Sequence, residues 1–463
     1  MLKSSPMDAA FTKNKHLISR AGFGIELSQI PACQQQTPQQ IWQDLATKKA
    51  FRPLSLDATA LDFDYAKIKN LNAEQKKQLQ RSNRQQNIEI NLKFLNEMVH
   101  SQDQLREKMA FFWHGHFATR VVNPKLSLQI LNIIRENALG DFKTLLFAVS
   151  KAPAMLSFLN NQQNKKGHPN ENFAREVMEL FTMGRGNYTE HDVREAARAF
   201  TGWAFNGQRE FIERLRLHDR GPKTFLGKTG NFDGNDILNI ILEQKATARF
   251  ITAKIYRFFV NDNVDADRVD KLSEQFYTSG YNISQLLDNI VTSSWFYAPV
   301  NIGSKIKSPI ELMAGMMRML PMKIGHPESL ITYQKLLGQM LLYPPNVAGW
   351  PTGQAWIDSS TLLLRMRLPQ IWSGIRPLDL TPDNDDDLDM GLNRKQVIAG
   401  GFKNPHMSIQ WPLIEEMLAK QDIEQVLLQK AMTVRWKQLS RFAGNSIQTK
   451  VIDIMSTPEY QLC

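Results

Sequence analysis

Residues 103–117 read DQLREKMAFFWHGHF, and this stretch decides the fold class. At about 100° per residue, Leu105, Met109, Phe112 and His116 share one face of a helix. The pattern predicts a core helix that carries an inward imidazole at His116. His114 lies about 160° from that stripe if the helix is regular. A helix that stops at Gly115 instead turns both rings toward one point. The same period recurs over 88–100, 126–139, 171–183, 190–200, 246–260, 283–294 and 308–320. Start signals accompany it: Ser308 precedes Pro309, and Thr189 stands three residues before Asp192. Gly184 and Gly186 predict a stop after the 171–183 segment. The best strand candidate is 209–217, REFIERLRL. The expected fold is mostly α, a multi-helix bundle-like domain with short irregular or β insertions.

A chain of 463 residues is long enough to bury a large core. Residues 378–393 hold the acidic run DNDDDLDMG and read as a linker between a main helical domain, 1–377, and a helical C-terminal extension, 394–463. A calcium loop is disfavoured there, because Leu388 occupies the sixth position where glycine is needed and no glutamate closes the loop. The net charge of +10 suits an acidic partner such as an anionic polymer. Much of it lies in 67–84, with no aromatic residue interleaved, which reads as a solvated helix face and argues against nucleic acid. Cys33 and Cys463 are too few and too far apart for a disulfide framework or zinc ribbon. The opening MLKSSPMDAAFTKNKH has no apolar segment, so the expected location is the cytoplasm, with export alongside a partner left open. No apolar run approaches the ~18 residues of a membrane span.

Candidate chemistry gathers in three clusters. His114 and His116 form the first. In the second, Asn172, Glu176, Glu179 and Met183 fall within about 60° of one another beside an apolar stripe of Phe173, Val177, Leu180 and Phe181. The alternative for those carboxylates is a structural network with Arg175, Arg185 or Arg194. The third, HDRGPK, places His218 beside Asp219, with Lys223 able to hold an anionic group; its alternative is a turn fixed by Asp219 acting on the backbone. Histidines and carboxylates are the usual ligands of divalent metals and the usual general acids and bases. Residues 342–356, LYPPNVAGWPTGQAW, read as a rigid aromatic loop suited to walling a pocket or packing the bundle. No Gly-x-Ser-x-Gly elbow, Walker loop, His-Glu-x-x-His or dinucleotide fingerprint is present.

Eight segments occur in order across roughly residues 12–370: HLISRAGFG at 16–24, FWHGHF at 112–117, the 170–184 block, DVREAARAFTGW at 192–203, HDRGPKTFLG at 218–227, 247–260, KSPIE at 307–311, and PPNVAGW at 344–350. With them the chain resembles the bacterial family called domain of unknown function 1800. The resemblance implies a helical fold without a settled activity, and a co-encoded, exported, sulfatase-like protein as partner. It also implies that Gly115 stands where relatives commonly have asparagine.

The expected function is a metal-dependent enzyme with a His/carboxylate site. His114, His116, Glu176 and His218 would hold a divalent transition metal such as Fe, Mn or Zn. Glu179, Asp219 and Lys223 would serve as catalytic or supporting groups. Aromatic surroundings favour oxidative chemistry on a protein or polymer substrate, and hydrolysis stays open. The alternative is a non-catalytic binding or maturation partner of the sulfatase-like protein.

Overall fold

The computed structural model describes residues 6–47, 49–56, 70–378, 407–433, 435, 438 and 446–463. The chain is mostly α-helical, and its described strands form three two-stranded antiparallel sheets. At the centre runs the helix Gln104–His116, buried along nearly its whole length. A helix covered on all sides has no solvent face to keep polar, so it accommodates Phe111, Phe112 and Trp113 in succession. Its polar side chains are matched instead: Glu107 receives Arg135 through two hydrogen bonds of 2.8 and 2.9 Å.

Around it stand Ala73–His100, Pro124–Asn137 and Lys245–Phe259, the last packed against Ala266–Thr278. The cap signals act as read. Ser308 accepts Glu311 N, with Pro309 opening the helix Pro309–Met319, and Thr189 accepts Asp192 N. The strand candidate at 209–217 shortens to Phe211–Glu213, which pairs with Trp203–Phe205.

The 171–183 segment is helical but not uniformly α. Asn172–Glu176 is α, and Val177–Thr182 widens into a π turn, with Met183 N bonding Met178 O at 2.9 Å. Gly184 then leaves the helix at φ +77°, where an added Cβ would lie 2.7 Å from the Phe250 ring. Only glycine serves both the left-handed backbone and that close approach.

The acidic run read as a linker lies outside the described residues from 379 onward. Beyond it, Met407–Ile409 pairs with Met322–Ile324, and Leu462 bridges to Ile306. No described helix is long and apolar enough to cross a membrane.

Candidate functional site

Of the seven residues singled out from sequence, His116 lines a cleft of about 320 Å³ that the other six do not line. One wall is the central helix with Phe112, Gly115 and His116; opposite it stand Trp350, Pro351, Gly353 and Trp356 of the proline-rich loop. Lys254, Arg257 and Phe258 come from the helix Lys245–Phe259, and Lys305 and Glu311 form part of the lining near Ser308. The loop therefore walls a pocket. It is held close by Gly349, at φ +85°, where a Cβ would meet the Gly115 carbonyl oxygen at 2.4 Å.

The π turn positions the cleft's two most unusual groups. The last carbonyls of a helix lack intrahelical partners. Here Phe181 O accepts His116 Nε2–H at 3.0 Å, and Leu180 O accepts Lys254 Nζ at 3.0 Å. A carbonyl only accepts, so Nε2 carries the proton of the neutral ring, and the Nδ1 lone pair faces Lys254 Nζ at 3.2 Å. Burial, followed by the Lys254 charge, holds the His116 imidazole well below its ordinary value, with Phe181 O opposing. Burial also lowers the Lys254 ammonium to about 8, and Arg257 pushes in the same direction.

The lining is rich in cations. Glu311 is fully occupied, with Lys108 on Oε1 and the Ser308 N–H on Oε2. Burial alone would raise this carboxyl, but Lys108 and Lys305 overcome it and bring it to about 2. Burial lowers Lys305, whose Nζ donates to Phe258 O and lies 4.6 Å from the Phe258 ring centroid. Among the described residues, neither Lys254 nor Lys305 forms an ion pair with a carboxylate. Besides Glu311, the lining that holds Lys254, Arg257 and Lys305 contains one further acid, Asp262.

The remaining sequence candidates lie elsewhere. The helix runs on to His116, so Gly115 does not turn the rings together. His114 is buried too, against Phe94 and Trp350; its Nε2 accepts Leu342 N–H at 3.1 Å, and burial lowers it to about 4. Glu179 binds Arg185 and accepts Tyr188 Oη at 2.9 Å, and these bonds outweigh burial to lower its carboxyl. Glu176, half-buried beside it, is raised by burial and then by the Glu179 charge. His218 Nδ1–H donates to Thr201 O at 2.9 Å. Asp219 pairs with Arg198 at 2.8 Å and accepts Gly221 N–H, while Lys223 donates to the carbonyls of Asp219 and Gly221. That is a self-contained turn.

A metal needs several lone pairs converging on one point. Among the described residues no three His, Cys, Asp or Glu side chains stand in such a group. The His116 and His114 lone pairs already accept from Lys254 and Leu342 N–H.

Sequence reading passed over Lys254, Lys305 and Glu311 as site residues. A signal existed for the first: Phe250 and Phe258 lie four residues to either side of Lys254, so it sits within an aromatic helix stripe.

The family model described as "Protein of unknown function (DUF1800)" matches residues 16–462, including the tail beyond the acidic run. No curated protein and no solved structure matches the chain.

Proposed function

We propose, for a chain that belongs to the DUF1800 family of proteins of unknown function, that the cleft binds a segment of protein or polymer through one acidic group. The observation that carries this reading is a surplus of cations: Lys254, Arg257 and Lys305 line the cleft, its acids are Glu311 and Asp262, and Glu311 already pairs with Lys108. A desolvated cation is costly unless an anion meets it. A carboxylate, phosphate or sulfate entering the cleft supplies that anion in a setting where water competes weakly. Trp350, Trp356, Phe112 and Phe258 offer flat apolar faces for the carbon skeleton beside the acid. The volume lies at the small end of ligand pockets, which run from roughly 300 Å³ upward, and suits one or two sugar-sized or aromatic units.

Titrating the full chain with glucuronate, inorganic phosphate and glycolate, with glucose as the neutral control, tests this through tryptophan fluorescence. Saturable quenching by the acids is expected, weakening with added salt. Arg257→Ala changes an exposed side chain and is expected to lower affinity roughly tenfold, as for one charged hydrogen bond. Equal responses to glucose and to the acids would sink the reading.

A further inference from the structure

We infer that Lys254 is a carbonyl-capturing amine, which condenses with the aldehyde or ketone of a small oxo acid bound in the cleft. This rests on the acid-binding reading above, since Arg257 and Lys305 are the cations that would hold the oxo acid's carboxylate.

The geometry around Nζ carries the inference. Two acceptors meet it, Leu180 O at 3.0 Å and His116 Nδ1 at 3.2 Å. A neutral primary amine has two hydrogens and one lone pair. Both hydrogens are used by those acceptors, which leaves the lone pair without a partner. An ammonium in the same place has a third hydrogen to satisfy, and no carboxylate stands within ion-pair distance among the described residues. The acceptors are fixed by the fold: the π turn supplies Leu180 O, and Phe181 O holds the His116 ring so that Nδ1, not Nε2–H, faces the amine. Phe250, with its ring centroid 4.7 Å from Nζ, covers another side. Desolvation and a neighbouring cation are the two devices that make a lysine nucleophilic near neutral pH, and both are present.

The step balances within the two reactants. The Nζ lone pair attacks the carbonyl carbon, and the carbonyl π pair moves to oxygen. Transfer of both amine hydrogens to that oxygen releases water and leaves the C=N bond of an imine. No oxidant or reductant is consumed. The aromatic lining slows return of water to the imine.

Glyoxylate is the probe, with cyanoborohydride to reduce the imine irreversibly to a carboxymethyl-lysine. Intact mass and peptide mapping then rank every lysine of the full chain against the others, so the wild-type protein contains its own control. Lys254 is expected to label about tenfold faster than surface lysines, with a rate that rises through a midpoint near pH 8. Lys254→Arg, which keeps the charge but forms no imine, is expected to abolish that fast phase. Glycolate lacks the carbonyl and separates the two readings. Quenching by glycolate with no fast labelling of Lys254 overturns the capture inference alone. No response to glycolate, with Lys254 labelling no faster than the surface, overturns both.

Discussion

Replacing Lys254 by methionine keeps the side-chain length and removes the amine, and its effect on stability should depend on pH in one direction. The ordinary lysine value is 10.5, and burial with Arg257 nearby brings Lys254 to about 8 in the folded chain. Between those limits the unfolded chain still holds the proton and the folded chain has lost it. Raising pH through that window therefore favours the folded state. At about 1.36 kcal/mol per pH unit the displacement corresponds to roughly 3 kcal/mol, reached progressively from about pH 8 to pH 10.5. Lys15 and Lys307 are also lowered to about 8 by burial, but they titrate in both proteins and cancel in the difference. The two lost hydrogen bonds, about 1 kcal/mol each, shift the baseline without setting its slope. Urea unfolding of both proteins at a series of pH values gives the difference directly. Wild type should gain on the variant as pH rises through the window. A flat difference would refute the reasoning. So would a wild type that loses ground, the sign expected of an amine paired with a carboxylate.

Three further outcomes follow. Gly349→Ala forces a left-handed residue against the Gly115 carbonyl and should destabilise the fold by about 2 kcal/mol or more, with loss of the acid-dependent fluorescence change. Gly115→Ala meets nothing within 4 Å and should instead stabilise by about 0.5–1 kcal/mol, so urea midpoints that move together would contradict the geometry. Protein purified without chelator or affinity metal should contain no stoichiometric transition metal by elemental analysis. A near-stoichiometric metal lost in folded His116→Ala and Glu176→Ala variants would restore the metalloenzyme reading.

The helices were legible because each depends on local information. Ser308-Pro309 and Thr189–Asp192 sit within one turn of the backbone groups they cap, and the apolar period over 104–116 needs no knowledge of neighbours. The π turn was not legible. A wider turn is selected by what lies across from it, and nothing within Val177–Thr182 announces Lys254 or His116, distant in sequence. A uniform projection of 100° per residue therefore placed Glu176 and Glu179 as a paired centre, whereas the chain spends Glu179 on Arg185 and Tyr188. The burial of His114 was hidden for a related reason. Its angle from the stripe implies solvent only if the helix has a solvent face, and this helix has none.

The cleft draws on the same segments as the motif clusters, though the expected ligands do not gather in it. FWHGHF contributes His116 and the helix wall; the 170–184 block contributes backbone carbonyls in place of carboxylates; 247–260 brings the amine to both. PPNVAGW closes the opposite wall, with Gly349 packed on Gly115. Four separated segments thus converge on one cleft, with Lys254 held between a backbone carbonyl and an imidazole nitrogen. A structural lysine is ordinarily satisfied by its own chain, as Lys108 is by Glu311. Holding Lys254 between two neutral acceptors at a cost to stability is the arrangement expected of an amine kept for a ligand and not for the fold.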